Sequence, residues 1–224
     1  MTRDYATSRD NIDKVLDFCV KHNIDDVYFQ IRGRGDAFYK SRFIPMSPRV
    51  KEPDFDPLAY ICEQAMPRKL KIHAWFNTYI LYSNAAMKPE DTHIYTLFPE
   101  WTSTDKNGFN DASLSFNKMR NKNFEGSYLS PVHPKVNQYI YILIREIIDN
   151  YTVDGIHLDY IRFQNKNYGF NPVAMDQFKN ETGVDPRYYM NTSNNHKKSI
   201  SDEMFYELYD TYRVDAVNNL IKKI

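Results

Sequence analysis

Two cysteines, Cys19 and Cys62, are all that this 224-residue chain contains, which excludes a disulfide framework and a cysteine-based zinc site. Each falls on an apolar helical stripe, where a free thiol behaves as a small hydrophobe. Glycine is scarce at 7 residues, and no Gly-rich phosphate turn follows any strand-like segment. Gly33-Arg34-Gly35 is too short and lacks the third glycine, so nucleotide binding is not expected. Net charge is absent as well: Lys+Arg and Asp+Glu both number 29, whereas a general nucleic-acid binder carries a basic excess. No run is long and apolar enough to span a membrane. Met1-Thr2-Arg3-Asp4-Tyr5 lacks the apolar core of a signal peptide. What the chain does have is rings, 18 Tyr and 14 Phe. Such rings suit stacking on sugars, although most are expected in the core.

Helices and strands alternate along the chain. Ser8 caps a helix predicted to run to His22, with Ile12, Val15, Leu16, Cys19 and Val20 on one face, and Asn23 is a left-handed stop. The strand Val27–Arg32 follows almost at once. A long polar loop leads to Asp56-Pro57, which opens a helix to Met66. The strand Lys71–Asn77 comes next, and then a second long excursion from Thr78 to Ser127 with a short extended piece at Tyr128–Ser130. His133-Pro134 opens the best helix, reaching Tyr151, with Val136, Ile140, Leu143, Ile144, Ile147 and Tyr151 on its stripe. The strand Val153–Arg162 follows. A helix at Pro172–Thr182, a polar loop at Asn191–Lys198 and a final helix from Asp202 complete the chain.

This alternation implies parallel βα units with right-handed crossovers. Helix-to-strand connections are short and strand-to-helix connections long, as on the active-site face of a (β/α)8 TIM-type barrel. A doubly wound sheet is the alternative. Only three convincing strands and one short one are visible, where a closed barrel has eight. The expectation is therefore one domain over residues 1–224 that is a partial barrel, with its first and last strands missing.

Strand side chains alternate between faces. Tyr28, Gln30 and Arg32 share one face of the first strand, His73, Trp75 and Asn77 one face of the second, and His157 and Asp159 one face of the third. With the apolar sets turned to the helices, Arg32, Asn77 and Asp159 cluster near the carboxyl ends. Asp36, just beyond the first strand, is either a second carboxylate or a turn residue. Asp154, at the amino end of its strand, reads as structural. Glu100, Asp105 and Asp111 in the long loop read as solvated. Trp101, Tyr79 and Tyr82 either form a sugar-stacking wall or pin that loop to the body. His93, His133 and His196 receive no role.

Gln30 to Tyr39 (QIRGRGDAFY), Asp56-Pro57-Leu58, His73 to Asn77 (HAWFN) and Asp154 to Phe163 (DGIHLDYIRF) together resemble the glycosyl hydrolase-like 10 family. Tyr212-Arg213 is similar to that family's aromatic-Arg pair. The family's first strand and the segments after its last helix have no counterpart here, and Pro67 stands where relatives commonly carry His. The resemblance implies a bacterial TIM-type barrel that hydrolyses glycosides, with some members acting on peptidoglycan glycan strands and a cell-envelope location.

The implied substrate is a carbohydrate polymer or oligosaccharide, with no nucleic acid and no cofactor. Such hydrolysis uses two carboxyl groups, roughly 5–5.5 Å apart for retention and about 6.5–9.5 Å apart for inversion. Asp159 is the expected nucleophile or charge stabiliser, with Asp36 the candidate partner. His157 or Arg162 would stabilise its charge. Arg32, His73, Trp75, Asn77, Tyr160 and Arg162 complete the expected substrate-binding set. Two rivals are a metal-dependent hydrolase using His73, His157 and Asp159, and a non-catalytic glycan-binding remnant.

Overall fold

The computed structural model describes residues 1–83, 91–113, 125–190 and 198–224, so His196 and most of the Asn191–Lys198 loop lie outside the described residues. The described chain falls into two compact units. The first comprises Met1–Thr78, Asp91–Ile94 and Leu143–Tyr160, and the second the remainder.

In the first unit, α1 (Arg9–Lys21) begins where the Ser8 hydroxyl accepts from Asn11 N. It ends as expected, with Asn23 in the left-handed region at φ 53°. Ile12, Leu16 and Cys19 are its buried stripe. β1 (Asp26–Arg32) follows, and α2 (Pro57–Ala65) then starts under an Asp56 cap that accepts from Ala59 N. Proline at the first helical position fits there because its missing N–H has no partner to lose. β2 spans Lys71–Asn77, and β3 (Ile80–Tyr82) follows in the second unit. Burial pushes the half-buried Cys62 thiol on α2 up to about 12, which leaves it protonated and inert.

The last strand of this unit, which we number β5, is Gly155–Asp159, and the parallel sheet has the order β1-β2-β5. Its register sets Tyr28 beside His73, Gln30 beside Trp75, Trp75 beside His157, and Asn77 beside Asp159. Val27, Phe29, Ile31, Ile72, Ala74 and Phe76 are buried on the helix side. Met1 runs along the outer edge of β1. Its amino group donates to Tyr28 O at 2.6 Å and its carbonyl accepts from Gln30 N at 3.0 Å, the spacing of a parallel ladder.

β5 is shorter than its apolar run suggested. Just before it, Asp154 N donates to Ile72 O and the Asp154 carboxylate accepts from Ile72 N, both at 2.8 Å, and Tyr160 ends the strand in the left-handed region at φ 51°. Among the described residues β5 pairs only with β2, so Ile156 and Leu158 stay half-buried and His157 is exposed. On the face the two residues share, His157 is thus open to solvent and Asp159 half-buried.

The second unit holds the antiparallel pair β3 and β4 (Ser127–Tyr128), α5 (Pro172–Thr182) and α6 (Asp202–Lys223). The single turn α3 (Ile94–Leu97) and α4 (Pro134–Asn150) each have residues in both units, and the predicted α4 stripe is buried except for Tyr151, which is half-buried. Phe170, Phe178, Tyr189, Phe205 and Tyr209 form an aromatic core between α5, α6 and the turn Pro186–Tyr189, with Tyr189 stacked on Phe205 at 4.0 Å. Arg213 lies 4.8 Å over the Phe163 ring.

Tyr79, Tyr82 and Trp101 are buried here as well. Tyr79 donates to Asn137 and Trp101 stacks on Phe98 at 4.4 Å, so these rings pin their segment and form no open sugar wall.

Candidate active site

The carboxyl ends of β1, β2 and β5 converge on Asp159. Its Oδ2 accepts from Trp75 Nε1 at 3.1 Å and its Oδ1 from Tyr160 N at 2.7 Å. Trp75 lies two residues before Asn77, the register partner of Asp159, which lets the indole reach the carboxylate along the same face. The carboxylate remains half-open. Holding Tyr160 left-handed costs roughly 1–3 kcal/mol, and such strain collects at functional sites. The Tyr160 N–H bond to Asp159, the Thr78 N–H donated to Asp159 O at 2.7 Å and the Arg34 guanidinium 5.5 Å from the Tyr160 ring offset it.

Arg32 and Asn77 are wholly buried, which corrects their expected role on sugar hydroxyls. Arg32 Nη1 donates to the carbonyls of Asn77 and Thr78, and Asn77 Nδ2 donates to Gly33 O at 3.0 Å. These bonds tie the ends of β1 and β2 together, so the two residues position the site.

His73 is a second correction. It sits four register positions below Asn77, about 13 Å at roughly 3.3 Å per residue, with Nε2 bonded to Asp26 at 2.7 Å and its ring stacked 4.9 Å from Tyr28. Gly155 makes that possible, since a Cβ there would lie 2.7 Å from His73 Nδ1.

His157 is exposed and meets Tyr28 edge-on at 5.1 Å and Trp75 at 6.2 Å; the donors on Asp159 come from Trp75 and Tyr160 instead. Asp36 Oδ1 accepts from Arg34 N at 2.8 Å, within the turn after β1. Arg162 belongs to the second unit, where it pairs with Glu125 at 2.6 Å.

Two residues escaped the sequence reading. His93 is buried and its Nε2 meets Arg34 O at 2.7 Å, so it fixes the loop after β1. Asp111, read as solvated, is fully buried in the second unit, where it accepts from Tyr128 N at 3.2 Å and from Gln164 Nε2. Burial pushes its carboxyl up to about 7 despite these donors. No local pattern around either residue distinguishes it from a loop side chain. Among the described residues, no cluster of three or more His, Cys, Asp or Glu side chains is placed to hold a metal ion. No helix among them is long and apolar enough to cross a membrane.

Comparison with known proteins bears on this arrangement. The profile of the glycosyl hydrolase-like 10 family matches residues 4–224. The chain belongs to that family. The glycosyl hydrolase YngK of Bacillus subtilis is 27% identical over 218 residues, covering 94% of this chain and 35% of that protein. The glycosyl hydrolase DigH of Escherichia coli is 27% identical over 163 residues, covering 66% of this chain and 33% of that protein. The chain thus spans about a third of the length of these curated relatives. Among solved structures, a hypothetical protein from Ruminiclostridium thermocellum superposes with a TM-score of 0.55 at 15% identity, covering 96% of this chain and 90% of that one. The α-L-fucosidase isoenzyme 2 of Paenibacillus thiaminolyticus gives 0.55 at 17% identity, covering 95% of this chain and 28% of that one. These two likenesses speak to the fold: α/β, built around a parallel sheet.

Proposed function

We propose that the chain is part of a (β/α)8 TIM-type barrel that hydrolyses O-glycosidic bonds, with Asp159 at its reacting centre. The observation that carries this reading is the presentation of that carboxylate. It stands half-open at the carboxyl end of a parallel strand, with an indole N–H on one oxygen and a backbone N–H on the other. A carboxylate held this way can stabilise positive charge at an anomeric carbon or attack it. Trp75, Tyr160 and His157 supply rings and polar edges for a sugar beside it. Asp36 is the second carboxyl of the proposal, held at its turn by the Arg34 amide. The separation of the two carboxyl groups in the substrate complex would then set retention or inversion. The substrate proposed is a peptidoglycan glycan strand or a related polysaccharide of the bacterial cell envelope.

The test is incubation of the wild-type chain and Asp159→Asn with glycan strands, with products read by mass spectrometry. Shorter glycans from the wild type and none from the variant are expected, at equal melting temperature. Undiminished turnover by Asp159→Asn would remove Asp159 from the mechanism. Glycan binding without product from either protein would make the domain a non-catalytic binder.

A further inference from the structure

The second unit contains two buried oxygens that a single proton would satisfy. Asp111 opens the turn Asp111–Ser113 and is fully buried. Its Oδ2 accepts from Tyr128 N and from Gln164 Nε2. That leaves the second atom of each group. Asp111 Oδ1 and Gln164 Oε1 are both buried, and neither has a hydrogen-bond partner among the described residues. The Tyr168 hydroxyl faces the same carboxyl, Tyr95 of α3 feels its charge, and Asp105 adds like charge to it. Beside Tyr128, Arg162 and Glu125 form an ion pair of their own; the Tyr128 hydroxyl donates to Glu125, and Arg162 lies 5.8 Å over the Tyr128 ring.

A carboxylate oxygen and an amide oxygen can only accept, so an ionised Asp111 leaves both atoms unpaired away from water, which is unfavourable. A carboxylic acid has one O–H donor and keeps an acceptor. A proton on Oδ1 can donate to Oε1 while Oδ2 still accepts from Nε2, closing a reciprocal acid–amide pair. Burial lifts the Asp111 carboxyl to about 7, which keeps such a proton in place through the acid range. Gln164 belongs to the stretch 161–168 that leads away from β5. The far end of that stretch is held by backbone bonds: Lys106 N donates to Asn167 O, and Gly169 N and Phe170 N donate to Thr104 O. Its near end has the Arg162–Glu125 pair, which is exposed and therefore weak, and the buried bond to Asp111.

We infer that Asp111 and Gln164 form a proton-dependent latch, a reciprocal acid–amide pair that fastens the segment after β5 to the turn Asp111–Ser113 and loosens when the proton leaves. The latched carboxyl keeps its proton up to about pH 7, whereas an opened segment releases it near the ordinary value of 3.8. Opening therefore becomes easier as pH rises between these values and levels off above them. An Asp159→Asn protein would carry the same latch.

The experiment begins with carbon NMR of the wild-type chain, following the Asp111 Cγ and Gln164 Cδ carbonyl carbons as pH is raised. Both should move with one midpoint, at about 7. Gln164 Cδ should stay still in Asp111→Asn, whose amide keeps both bonds at every pH. Hydrogen–deuterium exchange of the amides of residues 161–168 then reads the latch itself. The ratio of wild-type to Asp111→Asn rates, which cancels the intrinsic effect of pH, should rise at least about tenfold from about pH 5 to about pH 7 and level off above. Gln164→Leu keeps the acid and removes its partner, so at about pH 5 it should exchange faster than wild type in this segment. An Asp111 Cγ that titrates with the ordinary carboxylates, a Gln164 Cδ that ignores the Asp111 titration, an exchange ratio flat with pH, or unchanged exchange in Gln164→Leu would each overturn the inference. The wild-type titration needs no variant to fold.

Discussion

Asp159 in the first unit and Asp111 in the second accept the same kinds of hydrogen bond but have opposite access to solvent. Each takes one backbone N–H and one side-chain N–H: Tyr160 and Trp75 for Asp159, Tyr128 and Gln164 for Asp111, which takes the Tyr168 hydroxyl as well. Asp159 is half-open at a strand end, whereas Asp111 is fully buried beside the Tyr168 hydroxyl, and burial lifts its carboxyl to about 7. Two good donors do not by themselves make a reactive carboxylate. Access decides which one can meet a substrate and which one holds a proton inside the structure.

The largest effect should come from removing the open carboxylate. Asp159→Asn should lower glycan turnover by at least about 10³-fold with no loss of stability, measured by product release beside a thermal melt. If Asp111→Asn abolished turnover equally, the contrast between the two aspartates would collapse.

Asp111→Asn should act on stability instead. Native Asp111 keeps its proton up to about pH 7, while the unfolded chain releases it near the ordinary value of 3.8. The folded state therefore binds the extra proton in that window, and stability falls as pH rises from about 4 to about 7. At about 1.4 kcal/mol per pKa unit, the effect is on the order of 4 kcal/mol. The amide mimics the neutral acid, so Asp111→Asn should flatten the dependence and melt higher than wild type at pH 8. Parallel pH profiles in the two proteins would show that Asp111 is not the group responsible.

Gly155→Ala should cost about 1–3 kcal/mol by overpacking, because its methyl group would meet the His73 ring and push it from Asp26. An unchanged denaturant midpoint would mean the ring has room to turn aside. The smallest effect expected is that of Trp75→Phe, which removes one donor from Asp159 and keeps the ring. Turnover should fall about tenfold with little change in stability. A loss as large as that of Asp159→Asn would give the indole N–H a part in the chemistry itself.

Much of this architecture could be read from local pattern. Ser8, Asn23, Asp56 and Pro57 mark helix ends through their own backbone chemistry, and each does so in the structure. The alternation in Lys71–Asn77 put Trp75 and Asn77 on one face, and Asp159 at the end of an apolar run fell where expected. The roles within that face were not legible in the same way. Asn77 shares the face of Trp75, yet it is sealed against the Gly33 carbonyl, while a register shift between Gln30 and Arg32 pairs Arg32 with Phe76 and leaves it wholly buried. His73 shares it too, four register positions lower and held by Asp26. Alternation fixes a side, while height along the strand and burial come from the neighbouring strands.

The sequence by itself determined the succession of helices and parallel strands, the place of the two cysteines on helical stripes and the place of Asp159 at a strand end. Each follows from interactions within a few residues: caps, periodicity and the exclusion of charge from apolar stripes. Tertiary structure alone decided that Asp111 is buried, that His93 fixes the loop carrying Arg34, and that Arg3 comes to rest against Gly33. Those outcomes depend on segments distant in sequence excluding water from one another, and no local pattern records which loop side chain they will enclose.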